Sequence, residues 1–98
     1  MFLEIAEIPI KSGLESEFEA RVKNAAPLFQ RAKGCSGLSL QRSLEAPSRY
    51  RLFVQWQTLD SHTGFCASAD HETWRQLIVP CLAGPPAVEH VTEVLRGF

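Results

Sequence analysis

The segment SHTGFCASADHETW contains several side chains able to bind a metal or move a proton, among them His62, Cys66, Asp70 and His71. The first three are spaced four residues apart, which would bring them to one face of a continuous helix. Such a face could hold zinc. Ser68, however, is typical of a helix N-cap and predicts that a new helix begins before Asp70. The sequence therefore predicts no metal site, since only two ligands would stay together.

Two histidines, His62 and His90, are the candidates for catalytic proton transfer, because an imidazole titrates near neutral pH. His62 lies on a predicted short helix, and His90 lies in the middle of the predicted last strand. The alternative is a structural role, at a helix end for His62 and in the sheet or a dimer seam for His90. His71, beside Asp70 near the start of the next helix, is expected to face solvent.

Aromatic side chains could form the wall of a pocket for a flat substrate. Trp74 would stack on such a ligand, with Phe65 and Tyr50 beside it. Plain core packing is the alternative, because Trp74 also belongs to a helical apolar stripe with Leu77 and Ile78. A residue at the edge of a core that lines a pocket satisfies both interpretations.

Arg42 is a third kind of candidate, a charged residue on a strand face that otherwise carries leucines. A charge in such surroundings needs a partner. We expect a bridge to a glutamate such as Glu7 or Glu89, and the alternative is a contact with a substrate carbonyl.

Composition limits the classes of protein to consider. The 98 residues are 45% hydrophobic and 21% charged, with a formal net charge of −1, as in a single folded domain spanning 1–98. No basic run would attract nucleic acid or an anionic membrane, and no apolar stretch is long enough to span a bilayer. Three cysteines (Cys35, Cys66 and Cys81) favour reduced, mostly buried thiols, and the cytoplasm is the expected location.

Hydrophobic periodicity predicts strands and helices along the whole chain. Ser12 and Glu15 form a capping box before a long helix that runs to Gly34, with a kink at Pro27. Thr58 and Ser68 are expected to cap two shorter helices. The predicted strands cover residues 2–10, 36–45, 49–57 and 87–95, and the two shorter helices cover residues 59–67 and 69–82.

This order of elements is that of an α+β ferredoxin-like fold, a split β-α-β with a four-stranded antiparallel sheet and helices on one face. In the first strand, Phe2 and Ile8 share one side with Glu4, while Leu3 and Ile5 point to the other side. Because helices can cover only one face, the other apolar face needs a partner. A homodimer packed sheet to sheet is the expected solution.

The sequence resembles the antibiotic biosynthesis monooxygenase (ABM) domain family. The motif L-x-R-S-L-E-A-P-x-R-Y-x-L-x-V-x-W-x-T-L-D-S-H-T-x-x-F, from Leu40 to Phe65, carries the resemblance, and so do W-R-x-L from Trp74 and P-P-x-V-E-H ending at His90. The resemblance implies a dimeric α/β barrel. It also implies relatives that add O₂ to quinol- or anthrone-type aromatics without metal, haem or flavin.

Haem-degrading members of the family rely on an asparagine, a tryptophan and a histidine. The corresponding positions here are Ala6, Phe65 and Arg75, so the resemblance does not extend to haem degradation. Two functions stay open: a cofactor-independent monooxygenase (an oxidoreductase) for a small aromatic, and a non-catalytic dimeric small-molecule-binding or stress-associated domain of the same fold. An enclosed cavity beside the sheet, with at least one histidine able to reach a bound ligand, would favour the enzyme. A filled apolar core there would favour the alternative.

Overall fold

A computed structural model describes all 98 residues, Met1–Phe98. Four strands and three helices follow one another in the predicted order, with a 3₁₀ turn before the last strand. Their bounds are β1 Phe2–Pro9, α1 Glu15–Gln30, β2 Cys35–Arg42, β3 Arg49–Trp56, α2 Leu59–Cys66, α3 Ala69–Ile78, the 3₁₀ turn Val79–Cys81 and β4 Ala87–Val91.

The strands form one antiparallel sheet in the order β2-β3-β1-β4, which confirms the predicted ferredoxin-like fold. The register places Glu4 of β1 between Val54 of β3 and His90 of β4. Since residues directly opposite each other share a face, these three side chains belong to one side of the sheet. Glu4, near the start of the chain, and His90, near its end, are thus neighbours on this face of the sheet.

The core lies between this inner face of the sheet and the three helices. β3 shows the pattern most clearly, because Tyr50, Leu52, Val54 and Trp56 are buried while the residues between them are exposed or half-buried. Helix α1 contributes buried side chains about every fourth residue, as the helical period requires. No helix of the fold is long and apolar enough to cross a membrane.

The N-caps of the two short helices are where the sequence places them. The Thr58 hydroxyl accepts a hydrogen bond from the Ser61 N–H at 3.1 Å, and the Ser68 hydroxyl accepts one from the His71 N–H at 3.2 Å. Ser68 also donates to the Phe65 carbonyl at 2.6 Å, so that one side chain ends α2 and begins α3. The predicted helix break before Asp70 is therefore confirmed.

The predicted capping box of α1 is wrong. The helix begins at Glu15 after Leu14, without a side-chain cap from Ser12. The chain first makes a turn in which Gly13 adopts a φ of +95° and donates its N–H to Glu15 Oε1 at 2.8 Å. Glu15 Oε2 also accepts a hydrogen bond from Ser48, so the carboxylate fastens the turn to the opposite loop. At its other end the helix stops at Gln30, short of the predicted end at Gly34.

Two strands are shorter than predicted. β2 ends at Arg42, and Leu44, expected on its apolar face, is 93% exposed because residues 43–48 form the turn to β3. β4 ends at Val91 because Val91 pairs with Leu3, and β1 offers almost no chain beyond that point. The predicted extension to residue 95 therefore has no strand to pair with.

Candidate functional site

A cavity of about 280 Å³ lies between the inner face of the sheet and the helices. Ala6 of β1 and Leu52 of β3 form part of its floor, and α1 contributes Phe29. Val88 of β4 lies at its edge and is 52% exposed. Most of the wall is apolar, so the polar side chains that reach it stand out.

Glu4 is the carboxylate in this wall, and it is only 8% exposed. Trp56 Nε1 donates a hydrogen bond to Glu4 Oε1 at 3.0 Å, and His62 Nε2 lies 3.1 Å from the same oxygen. The other oxygen, Oε2, takes part in neither contact. Oε1 thus accepts one hydrogen bond, from Trp56, and has the imidazole of His62 close by, while Oε2 is left free.

The two histidines predicted to act in proton transfer are in contact. His62 Nδ1 and His90 Nε2 are 2.9 Å apart, although α2 and β4 are far apart in the sequence. Because an ionised carboxylate only accepts hydrogen bonds, the proton of neutral His62 belongs on Nε2, facing Glu4. His62 Nδ1 then accepts a hydrogen bond from His90 Nε2–H. Glu4, His62 and His90 thus lie in contact one after another, and they are called here the Glu-His-His cluster.

Aromatic neighbours hold the imidazole of His62 in place. Its ring stacks on Trp56 with centroids 5.1 Å apart and an interplanar angle of 17°. Phe2 packs edge-on against His90 at 5.1 Å. Burial lowers the pKa of His62, an effect that His90 adds to and that the Glu4 carboxylate opposes. The cluster therefore favours a neutral His62, which is the form able to accept a proton.

Two of the predicted substrate-binding residues, Phe65 and Trp74, line the cavity. Both pack on Phe29, at centroid distances of 4.8 Å for Phe65 and 5.1 Å for Trp74. Trp74 is 7% exposed and belongs to the core cluster as well. It thus satisfies both interpretations that the sequence allowed.

Tyr50 and Arg42 do not line this cavity. The Tyr50 hydroxyl donates to Glu19 on α1 at 2.6 Å, and burial together with this hydrogen bond raises its pKa to about 12. Arg42 lies over the Tyr50 ring and bridges to a glutamate as expected, but that glutamate is Glu19 at 3.7 Å and not Glu7 or Glu89. Arg42 lies on the face of the sheet that packs against α1, and this brings it next to Glu19.

His71, which was expected to face solvent, is half-buried and lines the cavity together with Arg75. The His71 ring packs edge-on against Phe65 at 5.5 Å, and burial lowers its pKa, with Arg75 nearby acting in the same direction. The Arg75 side chain is exposed and pairs with Glu72 at 3.3 Å. One turn of α3 thus carries His71, Trp74 and Arg75 to the same opening.

The other side chains of the segment that suggested a metal site are used elsewhere or exposed. Asp70 receives two hydrogen bonds from Arg31 at 2.7 and 2.8 Å, which lower its pKa, and Cys66 is exposed. No three His, Cys, Asp or Glu side chains are arranged to hold a metal ion. Of the three thiols, only that of Cys81 is fully buried.

Glu4 is the site residue that the sequence reasoning missed. A signal was present, because Glu4 alternates with Phe2 and Ala6 on the face of β1 that turns toward the core. A carboxylate on such a face must be paired, and that requirement points to a polar site. Its partners lie 52 and 58 residues further along the chain, at Trp56 and His62, and no local pattern connects them.

Comparison with known proteins identifies the family. Residues 1–77 match the family described as antibiotic biosynthesis monooxygenase. The uncharacterized protein YczJ of Bacillus subtilis (strain 168) is 39% identical over 95 residues, which are 96% of this chain and 100% of YczJ.

Solved structures share the fold over nearly the whole chain. A Bordetella bronchiseptica protein assigned to the antibiotic biosynthesis monooxygenases superposes with a TM-score of 0.93 at 50% identity, covering 96% of this chain and 97% of that chain. SnoaB, a cofactor-independent oxygenase from Streptomyces nogalater, superposes with a TM-score of 0.85 at 16% identity, covering 98% and 95%. These matches confirm the resemblance found in the motifs: this chain belongs to the antibiotic biosynthesis monooxygenase family.

Proposed function

We propose that this protein is a cofactor-independent monooxygenase that oxidises a small aromatic of the quinol or anthrone type. The observation that carries the proposal is the cavity, an apolar space whose wall contains the carboxylate of Glu4 and the imidazole of His62. Such a space shields a bound ligand from much of the solvent and places a proton acceptor beside it. A cavity with a histidine in its wall supports this proposal over the non-catalytic alternative, for which a filled apolar core was expected.

The size and lining of the cavity support a flat, compact ligand. Its volume of about 280 Å³ is at the small end of ligand sites in proteins. Trp74 and Phe65 offer aromatic surfaces at one wall. Ala6, Phe65 and Arg75 stand where haem-degrading relatives carry an asparagine, a tryptophan and a histidine. All three line this same cavity, so haem degradation is not part of the proposal.

The proposed reaction begins with removal of a hydroxyl proton from the ligand. The proton passes to Glu4 Oε2, the free oxygen of the carboxylate in the cavity wall. His62, which also touches the cavity, keeps its N–H toward Oε1 and holds the carboxylate in place for the transfer. His90 does not line the cavity, so in this proposal it is a positioning residue that fixes the orientation of His62. The resulting anion is electron-rich and reduces O₂. One oxygen atom becomes a new carbonyl, and the other leaves as water with the two hydrogens lost from the substrate.

We also propose that the protein is a homodimer formed through the outer face of the sheet. The fold is only 20 Å thick in its shortest dimension, as expected for one layer of strands and one of helices. Leu3, Ile5 and Phe53 are half-buried on the outer face, and Val91 at its edge is 37% exposed. An apolar patch on a sheet face without a helical layer is a typical protein interface.

Oxygen uptake with a panel of hydroquinones and anthrones tests the proposed activity. We expect wild-type protein to consume O₂ above the buffer rate with at least one member, and His62→Gln to lose most of this rate. Thr63→Ala is the matched control, because Thr63 is exposed and neighbours His62 on the same helix. For His90→Gln, the readout is a shift in the pH dependence of the rate. If ligands bind but no O₂ is consumed, the protein is a small-molecule-binding domain instead.

A further inference from the structure

The carboxylate of Glu4 is bound on one oxygen only. Both of its contacts, with Trp56 Nε1 and His62 Nε2, involve Oε1. Every buried side-chain oxygen or nitrogen that is sealed from solvent has a hydrogen-bond partner. Glu4 Oε2 has none, so it is not sealed. Because Glu4 lines the cavity and is otherwise buried, Oε2 reaches the open space of the cavity.

The groups closest to Glu4 are N–H groups of uncharged side chains. Trp56 and the neutral His62 each present an N–H to the carboxylate, from β3 and from α2. On the α3 side, His71 and Arg75 also line the cavity, and Arg75 is paired with Glu72. An ionised carboxylate can accept hydrogen bonds but cannot donate one.

We propose that Glu4 Oε2 makes the cavity selective for aromatic ligands that carry a hydrogen-bond donor, the reduced hydroxyaromatic form, over forms that present only acceptors. A hydroxyl placed against Oε2 donates a charge-assisted hydrogen bond in apolar surroundings. A carbonyl or ether oxygen at the same place directs a lone pair at the carboxylate and leaves it unpaired. This inference rests on the proposed function only for the aromatic nature of the ligand.

Selectivity of this kind also favours release of the oxidised product. Oxidation of a hydroxyl to a carbonyl removes the donor that Glu4 binds and replaces it with an acceptor. The same contact that holds the substrate therefore repels the product, and no movement of the protein is needed for the change. Sites built to bind a hydroxyl reject analogues that lack it more strongly than apolar pockets reject a change of size.

Binding of ligands that do not react with O₂ tests the inference separately from the oxygenase activity. The probes are 2-naphthol, which has a donor, and 2-methoxynaphthalene, which has only an acceptor, titrated by calorimetry and by amide chemical shifts. We expect wild-type protein to bind 2-naphthol about tenfold more tightly or better, because the buried carboxylate stays unpaired in the other complex.

Glu4→Gln separates hydrogen bonding from size. The glutamine side chain is of equal size and can donate, so the ratio of the two dissociation constants should fall to about one. A preference caused by the bulk of the methyl group would instead persist. Glu7→Gln is the control, because Glu7 lies on the same strand, faces the opposite side of the sheet and pairs with Arg49 at 3.3 Å. It should keep the wild-type ratio.

Three results would overturn the inference. One is equal affinity of wild-type protein for both probes, which does not depend on any variant folding. Another is a preference that survives in Glu4→Gln with an intact amide spectrum, since a different group would then be responsible. The third is absence of binding by either probe. A clear preference without any O₂ uptake would support the inference and contradict only the proposed oxygenase activity.

Discussion

The titration of His62 links the site to the stability of the fold. Burial lowers the pKa of His62 in the folded protein, whereas in the unfolded chain it lies near its ordinary value of about 6.5. Below that value the unfolded state binds more protons than the folded state. The contribution of neutral His62 to stability is thus complete above about pH 6.5 and is lost as the pH falls toward the folded pKa.

We therefore expect the free energy of unfolding, measured by urea denaturation, to decrease from about pH 7 to about pH 5. His62→Gln should make this pH dependence shallower, because the glutamine amide does not titrate. His71, whose pKa is also lowered by burial, supplies the remainder. Equal slopes for wild-type protein and His62→Gln would show that His62 is not buried in its neutral form.

The absorbance of Tyr50 tests whether its hydroxyl is buried and hydrogen-bonded as the structure shows. It is the only tyrosine in the chain, so phenolate absorbance reports on it alone. In the folded protein its pKa is raised to about 12 by burial and by its hydrogen bond to Glu19, so ionisation should be half complete near that pH. In urea it should ionise near its ordinary pKa of about 10.

Glu19→Gln should lower the folded pKa of Tyr50, because it removes the negative charge beside the phenolate. The raised pKa of Tyr50 also affects the free energy of unfolding. The stabilisation by the neutral, hydrogen-bonded phenol is complete below about pH 10 and is lost as the pH rises toward 12. A phenolate that appears at the same pH in folded and unfolded protein would contradict the buried hydrogen bond.

At the level of residues, the sequence predicted those site members whose position follows from local periodicity. His62, Phe65 and Trp74 lie on helices whose start is signalled by Thr58 and Ser68, so their common orientation could be inferred. Glu4 and His71 were missed because what surrounds them comes from distant parts of the chain. Tyr50 was placed in the pocket on residue type alone, and the structure puts it beside α1. For Arg42 a bridge to a glutamate was expected, but its partner on α1 was not.

At the level of secondary-structure elements, two of the predicted helix caps differ, since one forms its hydrogen bonds and the other does not. Ser68 caps α3 and also closes α2, whereas Ser12 makes no cap for α1. Ser68→Ala should lower the free energy of unfolding by about 0.5–2 kcal/mol. Ser12→Ala, the matched control, should change it by less than about 0.5 kcal/mol. Similar losses in urea denaturation for both variants would contradict this assignment of caps.

The order and type of the elements could be predicted from hydrophobic periodicity, but their ends could not. Leu44 continues the apolar alternation of β2, yet the chain must already turn there for Tyr50 to pair with Arg42. Residues after Val91 alternate in the same way as β4, but the neighbouring strand ends. In both cases the partner strand decides the end of an element, and a partner is not visible in local sequence.

The outer sheet face determines the proposed assembly of the whole molecule. Phe53 lies at its centre, on β3 opposite Ile5 of β1. We expect analytical ultracentrifugation to give about twice the chain mass of 10.9 kDa for the wild-type protein and the chain mass for Phe53→Glu. Lys23→Glu, a charge change at an exposed position of α1, should leave the dimer intact. A monomeric wild-type protein would contradict the proposed interface.

The central claim is that a hydroxyaromatic bound beside the Glu-His-His cluster reacts with O₂ without a metal or an organic cofactor. The most direct measurement is mass spectrometry of the product formed under ¹⁸O₂ by chelator-treated protein, using the most active ligand of the oxygen-uptake panel. We predict one labelled oxygen atom in each product molecule and a greatly reduced yield with His62→Gln. An unlabelled product, or a yield no higher than in buffer alone, would contradict the account.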